Sequence, residues 1–581
     1  MLAEKLIQIA MGREEASLYL KNGRIVNVFT GEIVTGKGVA VGQGRIAYVG
    51  SGERMIGSGT KVLDCRGMYL VPGYIDVHSH ADFFTNPVAF TRLVLPTGTT
   101  VTMTETSEIC GALGFSGLDY MLEVTSLLPL KFYFSLPSCI PPLPELEGDD
   151  CFPVSLLEKY LEHPRVLALG EITSWPRVTS LDRSLIEKIH LVKKAGKRVE
   201  GHLTGCREEE MNALVAAGIT SCHESITAQE AKEKLSLGLY VMLRHGSVRR
   251  DLPELSRLIT GNPGLNTSRV ILALDSMFPE DILCYGYVND LIRAAASYGI
   301  NPIKAIQMVT LNPATYLGLD CEVGSIAPGR RADILLVENI GDGFPRMVIA
   351  EGKIVAENGK LCEDVVLPDL SCLRLRPPRW PPGPFSAEDF LVKAPAGAGS
   401  FVEVPVMDII NKTIIKRIDL MLPVREGIIE PDPANDVLKI SLARPGGGFT
   451  TGFIKGFGGD IAGLATTLPS YNHKVLALGK NGDDMAFALT RMMELNGGMV
   501  LVENGKVIAE APLSIGGIQS AEEVDVLAGQ FSVFKRCLKE KGCLLEDPLF
   551  TLHFVNMTGL PYIRITPKGI VDVITKEVIF P

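Results

Sequence analysis

The chain has 581 residues, 46 % apolar and 21 % charged, with a formal charge of −10 at pH 7. That profile fits a globular protein of roughly two to four domains, and with no basic run interleaved with aromatics it argues against a nucleic-acid partner. No uncharged apolar stretch of about 18 residues occurs, which argues against a membrane span.

Residues 1–24 mix acids, bases and apolar residues without an apolar core and cleavage site, so a cytoplasmic protein is expected. The twelve cysteines form no Cys-x-x-Cys pair, which suggests neither a zinc ribbon nor a disulfide framework. Segments 18–28 and 38–49 alternate apolar and polar residues around an Asn22-Gly23 turn, the pattern of β-hairpins. A similar pattern returns at 331–337 and 347–358, so the two pieces are expected to pair into one small β-sandwich.

Between them, eight strand candidates alternate with helical stretches: 68–77, 99–104, 131–136, 166–170, 198–201, 219–222, 240–244 and 270–274. Eight strands over about 250 residues predict a (β/α)8 barrel, whose sites gather at the C-terminal strand ends. The proline-rich run 376–384 reads as a stiff linker. The glycine-rich run 446–463 lacks Gly-Lys-Ser/Thr and reads as a mobile loop over the barrel mouth. The expected fold class is therefore α/β: a barrel at 67–322, a composite β-sandwich from 1–66 and 323–372, a linker at 373–400 and a C-terminal α/β domain at 401–581.

The first barrel strand ends in Pro72-Gly73-Tyr74-Ile75-Asp76-Val77-His78-Ser79-His80. Residues i and i+2 of a strand share a face, so His78 and His80 offer two imidazoles to one metal. Glu171, His202, His223 and Asp275 each end a further predicted strand. Taken singly, each has a plainer reading: Glu171 could pair with Arg177, Asp275 could cap a helix near 279–283, and His202 and His223 could be core histidines. Together, four imidazoles and two carboxylates can hold two divalent ions with one carboxylate bridging. Asp275 is the candidate proton-transfer base, and Glu224 the next.

With these residues in view, the chain resembles the adenine deaminases of the amidohydrolase superfamily over nearly its whole length. The similarity runs through 21–32, Pro72 to His80, Gly170-Glu171, Gly201-His202, 216–224, Thr310-Leu311-Asn312-Pro313-Ala314 and 327–333. It extends into the C-terminal region at 452–458 and Leu545-Glu546-Asp547-Pro548, so 401–581 is expected to be a C-terminal domain of that family's type. The resemblance implies hydrolysis of adenine to hypoxanthine and ammonia by a hydroxide activated at a binuclear centre. It implies two manganese or iron ions per chain, held by His78, His80, Glu171, His202, His223 and Asp275. A purine is the expected partner, and a homo-oligomer is left open.

Several positions depart from the family pattern. Ala81-Asp82-Phe83 follows the second histidine where Ile-Glu-Ser is usual. Thr106-Ser107-Glu108 replaces Pro-His-Glu, and Leu274-Asp275-Ser276 replaces Thr-Asp-Asp. Phe278 stands where a histidine is common, and Ser470-Tyr471-Asn472-His473 replaces His-Asp-Ser-His. These changes bear on which ring is bound, leaving another amino-substituted heterocycle or a cyclic amide as the alternative substrate.

Overall fold

The computed structural model describes residues 1–148, 152–370, 375, 380–444, 446–469 and 475–581. Eight parallel strands form the expected barrel: β1 (Tyr74–Ser79), β2 (Thr99–Thr104), β3 (Lys131–Leu136), β4 (Val166–Ile172), β5 (Arg198–Gly201), β6 (Ser221–Cys222), β7 (Tyr240–Arg244) and β8 (Val270–Ala273). Each pairs with its neighbour in chain order, and a Ser79–Asp275 bridge joins β1 to the chain just past β8 at the mouth. The strands are short apolar or β-branched runs, buried nearly throughout, as a parallel sheet covered by helices requires. Helices such as Arg183–Lys194 and Glu208–Ala217 lie between them.

The predicted strand 68–77 is two strands. Tyr69–Pro72 joins a seven-stranded sheet, and β1 opens the barrel. Gly73 divides them at a close approach, where a Cβ would lie 2.2 Å from Thr100 Oγ1. The same seven-stranded sheet holds Arg24–Asn27 and Glu32–Val34 from before the barrel and Ile334–Val337, Pro345–Ala350 and Lys353–Glu357 from after it.

The hairpin expected at Asn22-Gly23 does not form. Leu18–Lys21 pairs with Gly38–Gly42 and Lys61–Asp64, whereas Arg24–Asn27 pairs with Glu32–Val34 and Tyr69–Pro72. Asn22 takes φ 64° and hands the chain from one sheet to the next, a role local pattern does not distinguish from a hairpin turn.

The glycine-rich run is not a loop over the mouth. Phe449–Lys455 is a strand of a ten-stranded sheet, paired with Val437–Ala443 and Phe401–Ile409. Nor is the segment after the proline run wholly a spacer. Phe390 is buried in an apolar cluster with Val500 and Met485, and Val392–Lys393 pairs with Ile428–Ile429. Among the described residues, no helix is long and apolar enough to cross a membrane.

Candidate metal centre

Three steps along β1, Asp76 to Ser79, oppose two along β2, Thr102 to Thr104. Such a bulge re-aims side chains at a strand end, and here the His78 and His80 rings meet edge-on at 5.5 Å. His78 also stacks on His223 at 4.1 Å. The ends of β4, β5, β6 and β8 bring in Glu171, His202, His223 and Asp275, so the structure draws all six predicted residues into one cluster.

Glu171 stands at its centre. Its Oε2 lies 2.5 Å from His202 Nδ1 and 3.3 Å from His223 Nε2, while its Oε1 faces His80 Nε2 at 3.8 Å. Asp275 Oδ1 lies 3.3 Å from the same His80 nitrogen. The plainer pairing of Glu171 with Arg177 is not made; Arg177 binds Asp182. Nor does Asp275 cap the helix at Pro279–Tyr285, whose N-cap is Phe278.

The electrostatics favour cations. Burial opposes a charged His80, but the hydrogen bond to Asp275 and the charges of Asp275, Asp82 and Glu171 together outweigh it and push the pKa up to about 10. Burial would raise Asp275, but the His80 hydrogen bond and the Arg244 charge hold it well below the usual carboxylate range. Burial pushes His223 down, and the neighbouring His78 adds to this. A divalent ion competes with protons for these same nitrogens and oxygens.

The residues fit a metal on independent grounds. Both nitrogens of His78 are buried without a hydrogen-bond partner, and orphaned buried groups are costly unless something binds them. Candidate ligand sets with atoms within 4.8 Å of one another join His78 to Glu171 and His223, His78 to His80 and Asp275, and His202 to His223 and Glu224.

Three residues escaped the sequence reading. Arg244, the last residue of β7, is 2 % exposed and donates to Glu224 Oε1 and, at 2.7 Å, to Asp275 Oδ2. Glu200 stands two residues before His202 on β5, hence on its face. Glu105 follows β2. Arg244 carried a signal, a charged side chain at the C-terminal end of an otherwise apolar barrel strand; Glu200 and Glu105, in and after strands of mixed composition, carried none so plain. Glu224 carries no free carboxylate edge: Arg244 takes Oε1, and Thr204 donates to Oε2 at 3.0 Å.

The C-terminal region covers the mouth. Gln519 and Ser520 pair in parallel with Phe84 and Thr85, and Asn86 Nδ2 donates to Ser520 O at 2.9 Å. His553 lies 4.5 Å from the Phe83 ring, and Phe550 lies 4.4 Å from Phe278. Lys535 Nζ sits 3.5 Å above Phe278 and binds Glu280 at 2.7 Å. Beneath this cover, between His80, Asp275, Phe83 and Met277, the cavity is about 10 Å³, room for about one water.

Of the departing positions, Asp82 accepts the N–H groups of Glu108 and Ile109 at the start of the helix Ser107–Leu113. Phe83 and Phe278 join the apolar cover, and Ser470 to His473 lie outside the described residues.

A histidine and carboxylate cluster at the mouth of a parallel barrel is the arrangement of a metal-dependent enzyme, and the model described as amidohydrolase family matches residues 69–355, which contain the whole cluster. A second model, the adenine deaminase C-terminal domain, matches residues 412–577. The adenine deaminase of Moorella thermoacetica is 34 % identical, covering 98 % of this chain and 96 % of its own. That of Kosmotoga olearia is 35 % identical, covering 98 % and 97 %. Among solved structures, beta-aspartyl dipeptidase from Fervidobacterium islandicum AW-1 aligns with a TM-score of 0.47 at 17 % identity, covering 60 % of this chain and 98 % of that one. The chain belongs to the adenine deaminase family of the amidohydrolases.

Proposed function

We propose that the protein hydrolyses adenine to hypoxanthine and ammonia. The observation that carries this reading is the full-length likeness to adenine deaminases, which takes in the C-terminal domain as well as the barrel. The residues that would hold two divalent ions, manganese or iron, are His78, His80, Glu171, His202, His223 and Asp275, with Glu171 in contact with His80, His202 and His223. When bound, such ions supply the Lewis acidity that makes water a nucleophile near neutral pH.

The chain's own groups do the proton work. Asp275 Oδ1 takes a proton from the attacking water as its oxygen bonds to C6 of the ring. The C6–N6 bond then breaks, and Asp275 returns the proton to the departing nitrogen, which leaves as ammonia. The second water proton ends on ring nitrogen N1. Arg244 holds Asp275 Oδ2 and so aims Oδ1 at the reacting water. A purine needs more room than about 10 Å³, so substrate enters when the cover formed by Phe83, Phe278 and the C-terminal residues moves aside, a gating step familiar in closed active sites.

The test is ammonia release from adenine by manganese-loaded protein. Chelation is expected to remove the activity and added Mn2+ to restore it, with elemental analysis giving two ions per chain. Turnover that persists in metal-stripped protein would end the metal reading.

A second reading has a specific basis. Phe83, Met277 and Phe278 give the mouth an apolar wall. Such a wall accepts a flat ring by stacking but discriminates weakly among substituents. N6-substituted adenines are therefore expected to be processed at kcat/KM values within about 100-fold of adenine. No ammonia from adenine, with release from another amino-substituted ring, would replace the first reading by the second.

A further inference from the structure

His78 presents a chemical question that the six ligands do not answer. Both of its ring nitrogens are buried without a partner, and the side chain is 1 % exposed. A neutral imidazole that ligates through one nitrogen carries its proton on the other, and that N–H needs an acceptor. Nδ1 lies 3.6 Å from Glu200 Oε2, which is itself buried and unpartnered. Nε2 is then the nitrogen left for the cation beside His80, Asp275 and Glu171.

Glu200 is fixed from behind. Its Oε1 accepts from Tyr316 Oη at 3.1 Å, and Tyr316 Oη also lies 2.9 Å from Ser221 Oγ. Tyr316 is on the helix Leu311–Leu317, against the barrel interior with Ile75, Val77 and Met242. A chain of contacts therefore runs from Ser221 through Tyr316 and Glu200 to His78.

We infer that Glu200 is a positioning residue: it accepts the His78 Nδ1–H, fixes the tautomer that frees Nε2, and is itself oriented by Tyr316. A closing of about half an ångström brings the 3.6 Å approach within hydrogen-bond distance. Acceptors of this kind raise the basicity of a ligating histidine, and their loss typically weakens metal binding by about 10–100-fold. The competing assignment is a third cation among His78, Glu105 and Glu200, whose ligand atoms also lie within 4.8 Å of one another. It fails on donor chemistry, because the Nδ1 that faces this group carries the proton once Nε2 is the ligand.

The inference rests on the reading of this site as a metal centre. The test is a Mn2+ titration, by calorimetry, of full-length protein stripped of metal, comparing wild type with Glu200→Ala, Glu200→Gln and Tyr316→Phe. Glu200→Ala is expected to weaken one of the Mn2+ sites by about 10–100-fold. Glu200→Gln keeps an acceptor oxygen and recovers part of that loss, and Tyr316→Phe weakens binding less than Glu200→Ala. A purely structural role would instead make affinity follow the melting temperatures of the stripped proteins.

Wild-type affinity in Glu200→Ala, or a third Mn2+ in wild type that this variant loses, overturns the inference while the centre stands. Absence of Mn2+ binding by wild type overturns the centre, and this role with it.

Discussion

Asp275→Asn is expected to lower kcat by roughly 10²–10⁴-fold, the usual worth of a positioned acid–base group, with Mn2+ content close to wild type. The backbone should tolerate the change. Asp275 has φ 66°, a left-handed conformation that asparagine adopts more readily than most residues. The chemistry should not tolerate it. The aspartate offers one oxygen to His80 Nε2 and the other to Arg244, and the amide has a single oxygen for the two. The Arg244 guanidinium and the Ser276 N–H, which Oδ1 accepts at 2.6 Å, can only donate, so one amide oxygen leaves a donor facing the NH2 group on one side, and on neither side can that NH2 accept a proton from the reacting water.

Five other proposed ligands would remain to hold metal in the Asp275→Asn protein. Because a transition-state interaction is lost, kcat and kcat/KM should fall together. Steady-state kinetics with elemental analysis of the same preparation decides the matter. Turnover near wild type would move the proton transfer to Glu224, which lies 3.6 Å from His223 Nε2.

The barrel was legible because its strands are short apolar runs set between turn signals. The expected 99–104, 131–136, 198–201 and 240–244 coincide with β2, β3, β5 and β7. The six clustered residues were legible for a related reason: a histidine or carboxylate that ends such a run sits at the mouth by construction.

What local pattern does not carry is the choice of partner. Asn22-Gly23 looks like a hairpin turn until long-range pairing sends its two strands to different sheets. Gly73 divides two sheets because Thr100 approaches it from afar. Arg244 ends an otherwise apolar strand and Glu200 is one charged step of a four-residue strand; each takes on a role only when another strand supplies Asp275 or His78. The cover formed by Gln519, Phe550 and His553 is wholly a matter of contacts across hundreds of residues.

Arg244 is also where the largest loss of stability is expected. Its guanidinium is buried and donates to both Glu224 and Asp275, with Asp251 3.8 Å away. Burial alone would ease the guanidinium toward its neutral form, but the Glu224 and Asp275 charges reverse that and hold it charged. Arg244→Met fills a similar volume but leaves these carboxylates without their counter-charge. Breaking a buried pair from one side costs about 3–5 kcal/mol, and each kcal/mol is worth about 2–4 °C for a domain of 150–250 residues.

The barrel's melting temperature should therefore fall by about 10 °C in metal-stripped protein. Added Mn2+ should restore part of the loss, because it binds the folded acidic cluster. Arg249→Met supplies the contrast. Arg249 also approaches Glu224 and Asp251, each at 3.6 Å, but its side chain is 34 % exposed, and solvent-screened pairs of this kind contribute about 0–1 kcal/mol. Differential scanning calorimetry of the two variants separates burial from mere proximity. A melting temperature for Arg244→Met within about 2 °C of wild type, or no lower than that of Arg249→Met, would mean that Glu224 and Asp275 find their compensation elsewhere, and the aiming role given to Arg244 would go with it.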